Sequence, residues 1–114
     1  MKYLIPILSV FILSSCYYDV ETELYPVCNT PDFPSYELDV ESIIVSNCAT
    51  SGCHAQGGEG PGNFNNYNSV KTRVDNGSFE EEVIINKSMP PSGGLSECDI
   101  QILQAWLDAG APNN

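Results

Sequence analysis

The chain has 114 residues, with 15 Asp and Glu against 4 Lys and Arg, and a formal net charge of −11 at pH 7. That balance excludes a nucleic-acid binder, whose phosphates call for Lys and Arg, and it excludes holding an anionic membrane by charge alone. An acidic surface steers a basic partner at low salt, although most of these carboxylates simply keep the domain solvated.

The first element in chain order is an address. Lys2 precedes the apolar run Tyr3 to Leu13, which is too short to span a bilayer, and small residues follow it, so residues 1–15 read as a secretory signal peptide. The ending Leu13-Ser14-Ser15-Cys16 resembles a bacterial lipobox. The resemblance implies cleavage before Cys16, lipidation of its thiol and a lipid anchor in the cell envelope of a gram-negative bacterium. That places the protein at the outer membrane, facing the periplasm or the surface. The competing readings are an ordinary signal peptide with a coincidental cysteine, or an N-terminal membrane anchor. Asp19, Glu21 and Glu23 follow closely, as acidic residues do in some surface-exported lipoproteins. The mature chain, Cys16 to Asn114, has 99 residues. A core of that size is small and usually relies on a staple or a cofactor.

Residues 16–34 carry Pro26, Pro31 and Pro34 in polar surroundings and read as a tether and extended arm, leaving residues 35–114 as one domain. Ile43, Ile44 and Val45 predict a short helix over residues 39–47 running into Cys48, with a strand as the alternative because β-branched residues weaken helices. The stretch Gly57-Gly58-Glu59-Gly60-Pro61-Gly62 is a loop, and Phe64 and Tyr67 after it are candidates to close over an apolar cofactor. A short helix over residues 69–74 ends at Asn76-Gly77. Ser78 with Glu81 forms a capping box that starts another helix over residues 79–85. Ser88-Met89-Pro90-Pro91-Ser92-Gly93-Gly94 breaks the chain again. In the last helix Ser96 is the N-cap, Asp99 sits at the third helical position and Leu95 staples Ile100. Ile100, Leu103, Trp106 and Leu107 form its apolar face, and Gly110 with Pro112 terminates it. The architecture is all-α.

The chemistry concentrates at Cys48-Ala-Thr-Ser-Gly-Cys53-His54. Two thiols followed at once by an imidazole can attach a c-type haem: the sulfurs add to the vinyl groups as thioethers and the histidine ligates iron. His54 is the single histidine of the chain. Met89 is the second axial candidate, since Met1 leaves with the signal, and its soft thioether favours ferrous iron and raises the potential. Taken alone, Met89 would read as a loop residue filling a gap. With Cys16 lipidated and Cys48 and Cys53 attached to haem, Cys28 and Cys98 remain to pair in an oxidising compartment. The cysteine count by itself also permits a Cys48–Cys53 bridge, which would leave no haem attachment.

The order of these parts resembles class I cytochromes c, and most of all the small cytochrome c-like domains of bacterial lipoproteins. The resemblance rests on Cys48 to His54, Ser88-Met89-Pro90-Pro91 and Leu107-Asp108-Ala109-Gly110-Ala111-Pro112, and it covers residues 35–114. It implies Cys48 and Cys53 as thioether attachments, and His54 and Met89 as proximal and distal ligands of one covalently attached haem c. It also implies that N- and C-terminal helices cross beside the haem with Trp106 packed at the crossing. The departure is four residues between the cysteines in place of two; Gly52 is placed to absorb the bulge.

The function expected is single-electron transfer between redox partners at a membrane, by a carrier and not a catalyst. Adjacent Cys and His do not make a nucleophilic pair, and no phosphate loop, HExxH motif or paired-carboxylate site is present. Three rivals stand beside this reading. A zinc site is weaker, because Cys48, Cys53 and His54 give three ligands and adjacent ones strain a tetrahedron. A haem-free, disulfide-stapled binding or assembly module would pair Cys48 with Cys53. A gas or redox sensor would leave Met89 off the iron.

Overall fold

The computed structural model describes residues 27–114. The expected signal peptide, Cys16 and the first part of the expected tether lie outside that range. Residues 27–34 take no helical or extended-ladder structure, yet they are not loose. Cys28 is disulfide-bonded to Cys98, with Cα atoms 5.2 Å apart, and Pro34 is fully buried. The expected arm is therefore pinned to the last helix at its distal end.

The first helix begins earlier than its apolar cluster predicts. A π-helical segment, Tyr36–Val40, continues directly into α1, Glu41–Asn47. Ser35 starts it, its Oγ accepting from Leu38 N. A long-range clamp adds to this local cap: Glu37 N donates to Asn114 O at 3.0 Å, Ser35 Oγ donates to the same oxygen at 2.6 Å, and Tyr36 N donates to Asn114 Oδ1 at 3.1 Å. Val40, Ile43 and Ile44 form the buried face, so burial overrides the low helix propensity of the β-branched residues and the strand alternative fails.

Helix α2 spans Tyr67–Asp75, two residues longer at its start than expected, because Asn66 Oδ1 caps it by accepting from Ser69 N at 3.0 Å. Its buried residue is Val70. Gly77, at φ 80°, ends the turn after it. A second π-helical segment follows at Glu80–Ile85, where a helix was expected, but the Ser78–Glu81 capping box does not form. The Ser78 hydroxyl donates to Asn76 Oδ1 at 2.6 Å, and Glu81 N donates to Gly77 O. Asn76 Oδ1 takes the Ser78 N–H at 3.0 Å and Gly77 O takes the Glu81 N–H, the two donors the box would have satisfied.

Helix α3, Glu97–Asp108, has both ends as read from the sequence. Ser96 Oγ accepts from Asp99 N at 3.1 Å and donates to Asp99 Oδ2 at 2.7 Å. At the other end Gly110, at φ 89°, lets its own N–H reach Leu107 O and the Ala111 N–H reach Trp106 O, the paired bonds of a Schellman cap.

The helix α3 packs on both π-helical segments. Trp106 is fully buried where they meet, its ring centroid 5.7 Å from Tyr36 and 6.4 Å from Phe79, and its Nε1–H donates to Pro112 O at 3.0 Å. The last helix meets the N-terminal one through its π-helical entry, where Tyr36 supplies an aromatic face. Among the described residues there is no strand, and no helix is long and apolar enough to cross a membrane.

Candidate functional site

Cys48 leaves the end of α1, its N–H donating to Ile44 O at 2.8 Å. The four residues after it bulge and return: Cys53 N donates to Thr50 O, and His54 N donates to Cys48 O at 3.1 Å. That last bond closes the long motif into a small ring and sets the imidazole next to the helix end. Gly52 takes φ 83°, the left-handed turn the bulge needs.

The glycine-rich loop then folds back onto the motif. Gly60 N donates to Cys53 O at 3.0 Å and Phe64 N donates to His54 O at 2.8 Å. A Cβ on Gly60 would lie 2.8 Å from His54 Nδ1, and one on Gly58 would lie 2.1 Å from the Cys53 carbonyl oxygen. These positions need glycine because backbone presses on the site. His54 is held twice. Its ring stacks on Phe64 with centroids 4.1 Å apart and planes 6° from parallel, and Nδ1 lies 3.2 Å from Pro61 O. Because a carbonyl only accepts, that contact selects the tautomer protonated at Nδ1 and leaves the Nε2 lone pair for a ligand, the usual support for a metal-binding histidine.

Across from the motif, the chain turns through Lys87, at φ 52°, into the Met89 loop. Glu82 O accepts from both Ser88 N at 2.9 Å and Met89 N at 3.1 Å, and the Glu82 carboxylate accepts from the Ser88 hydroxyl. The Met89 side chain is 40% exposed. Between loop and motif lies a cavity of about 660 Å³, within the ordinary range for ligand sites. Cys48, Cys53, His54, Phe64 and Met89 all lie on its wall.

Cys48 and Cys53 are both free thiols, so the alternative bridge between them is not formed, while Cys28–Cys98 is. Burial, with a smaller contribution from Cys53, pushes the Cys48 thiol up to about 11. Cys48 is 8% exposed and Cys53 is exposed. Among the described residues no three His, Cys, Asp or Glu side chains gather as a metal-ion site.

One expected cavity residue is misplaced. Tyr67 does not line the cavity; its hydroxyl donates to Ala111 O at 2.7 Å and its ring meets Tyr36 edge-on at 5.0 Å. Tyr67 starts α2, and the Asn66 cap turns that start toward the C-terminal segment. The wall also includes Phe79, Val83, Arg73 and Glu82, which sequence reasoning did not single out. Phe79 and Val83 are four apart, a helical spacing that could have disclosed a shared face.

The residues present suit a covalently attached haem: a largely apolar cavity, two free thiols, and an imidazole held through Nδ1 on the same wall as a thioether. No protein-family model, curated protein or solved structure matches this chain.

Proposed function

We propose that residues 35–114 form a monohaem c-type cytochrome domain that carries single electrons between redox partners at a bacterial membrane surface. The observation that carries the reading is the single cavity wall shared by Cys48, Cys53, His54 and Met89, residues up to 41 positions apart in the chain. Cys48 and Cys53 would hold the haem as thioethers, with His54 Nε2 and Met89 Sδ as the axial pair. Bound haem supplies a one-electron iron couple.

The chain's own residues do the rest. Pro61 O fixes the imidazole tautomer, Phe64 fixes the ring plane, and Glu82 holds the backbone of the Met89 loop. Phe64, Phe79 and Val83 supply buried apolar wall, which would add to the ferrous preference that a thioether ligand begins. Lipid on Cys16 would keep the domain at the membrane, and the acidic surface would meet a redox partner with a basic docking face.

The test is the intact mass and reduced pyridine haemochrome spectrum of protein secreted from a host with c-type maturation. The expected result is one haem that survives denaturation and shows a c-type band. Unmodified protein, from a host that matures a standard cytochrome normally, would overturn the reading in favour of a haem-free stapled module.

A further inference from the structure

Four cations stand in this chain, and three lie among the described residues. Lys71 pairs with Asp75 one turn along α2, and Lys87 reaches Glu97 at 4.0 Å. Among the described residues Arg73 alone of the three has no carboxylate within ion-pair distance, in a chain with 15 acids. Arg73 is half-buried and forms part of the wall of the 660 Å³ cavity. Glu82, the acid on the same wall, lies outside ion-pair distance of Arg73, and its carboxylate accepts from the Ser88 hydroxyl.

Half-buried on a largely apolar wall, the guanidinium is a ready charge-assisted hydrogen-bond donor to an anionic occupant. Its planar fork suits a carboxylate held by two parallel hydrogen bonds. Lys71, two residues back, is turned roughly 200° around the helix at about 100° per residue and is not on the wall. We propose that Arg73 is the carboxylate-binding residue of this cavity and that it pairs with a haem propionate. The inference rests on the haem reading above. Arg73 compensates the charge that burying a porphyrin would otherwise leave unpaired, and it selects the orientation in which a propionate faces α2.

The experiment uses the matured holoprotein as wild type, R73Q, R73K and K71Q. Two readouts are taken: the propionate-bending band in the resonance Raman spectrum of the reduced form, and the midpoint potential at pH 8. In R73Q the band shifts and the potential falls, because a fixed positive charge beside the haem is gone. R73K keeps the charge without the fork, so its band shifts while its potential stays near wild type. K71Q matches wild type in both. An R73Q band and potential identical to wild type would overturn the inference, as would equal displacement in K71Q. If R73Q does not mature, R73K decides by its band: shifted supports the fork, unchanged rejects it. Wild type without covalent haem fails one step earlier, at the mass measurement, and removes the parent reading together with this one.

Discussion

Replacing both Cys28 and Cys98 with serine removes a cross-link that joins residues 70 positions apart, without leaving an odd thiol to exchange with Cys48 or Cys53. In the chain-entropy treatment a loop of that length restricts the unfolded chain by about 4.4 kcal/mol at 25 °C. That figure is a ceiling, because it assumes the arm keeps its place when the bond is gone. Much of the arm is open to solvent: Val27 is 82% exposed and Phe33 is 84% exposed, and Pro34 is the first of its described residues to be fully buried. Residues 27–33 therefore come loose in the folded variant, and the freedom they regain, net of the contacts they give up, offsets part of the loss. The expected net destabilisation is about 2–3 kcal/mol, a Tm fall of roughly 10–20 °C for a domain of this size. Urea unfolding followed by far-UV circular dichroism and by Trp106 emission measures it; Trp106 is the only tryptophan and sits in the core away from the arm. Proteolysis of the folded variant should cut within residues 27–33 and spare the helices. A loss below about 0.5 kcal/mol with the arm still protected would refute the loop-closure reasoning. A loss above about 5 kcal/mol would show that the bridge supports the packing of α3 itself.

Trp106→Phe removes the Nε1 donor to Pro112 O and leaves that carbonyl unpaired, so a destabilisation of about 1–3 kcal/mol is expected by chemical denaturation, and about 3–5 kcal/mol for Trp106→Ala. In haem-free protein, Cys53 should alkylate first, while the Cys48 thiol, shielded and pushed up to about 11, reacts only as pH rises well above 9; equal rates at pH 8 by peptide mass mapping would contradict its burial. The linked sign is that the unfolded chain gives up the Cys48 proton sooner than the folded one, so haem-free stability falls as pH climbs from about 9 to 11. Met89→Ala in the holoprotein should lower the midpoint potential and open the reduced iron to carbon monoxide, both read optically; wild type that already binds carbon monoxide would favour a sensor. Gly58→Ala, whose Cβ would strike the Cys53 carbonyl oxygen, should reduce the yield of matured haem below that of the unsubstituted protein; an unchanged yield would show that the loop does not press on the motif.

Residues a few positions apart decided on their own whatever local hydrogen bonds decide. Ser96, Asp99 and Gly110 start and stop α3 through bonds spanning three to five residues, and Gly52 takes its left-handed turn for the same local reason. The cysteine tally paired Cys28 with Cys98 because pairing is combinatorial and Cys16, Cys48 and Cys53 had other assignments. The local reading broke down at Ser78, where Asn76 and Gly77 of the preceding turn take the backbone N–H groups of Ser78 and Glu81, and at Tyr67, whose hydroxyl donates to Ala111 O, 44 residues away. Tertiary structure alone decided that Asn114 clamps the first turn across 78 and 79 residues, that Trp106 meets Tyr36 and Phe79, and that Arg73 and Glu82 share a wall with the thiols, His54 and Met89. Contacts of that range depend on how segments pack after their local shapes are set. A motif can therefore name the chemistry of a site, but the residues that hold its charge and orient its ligands become identifiable only once the chain has closed around it.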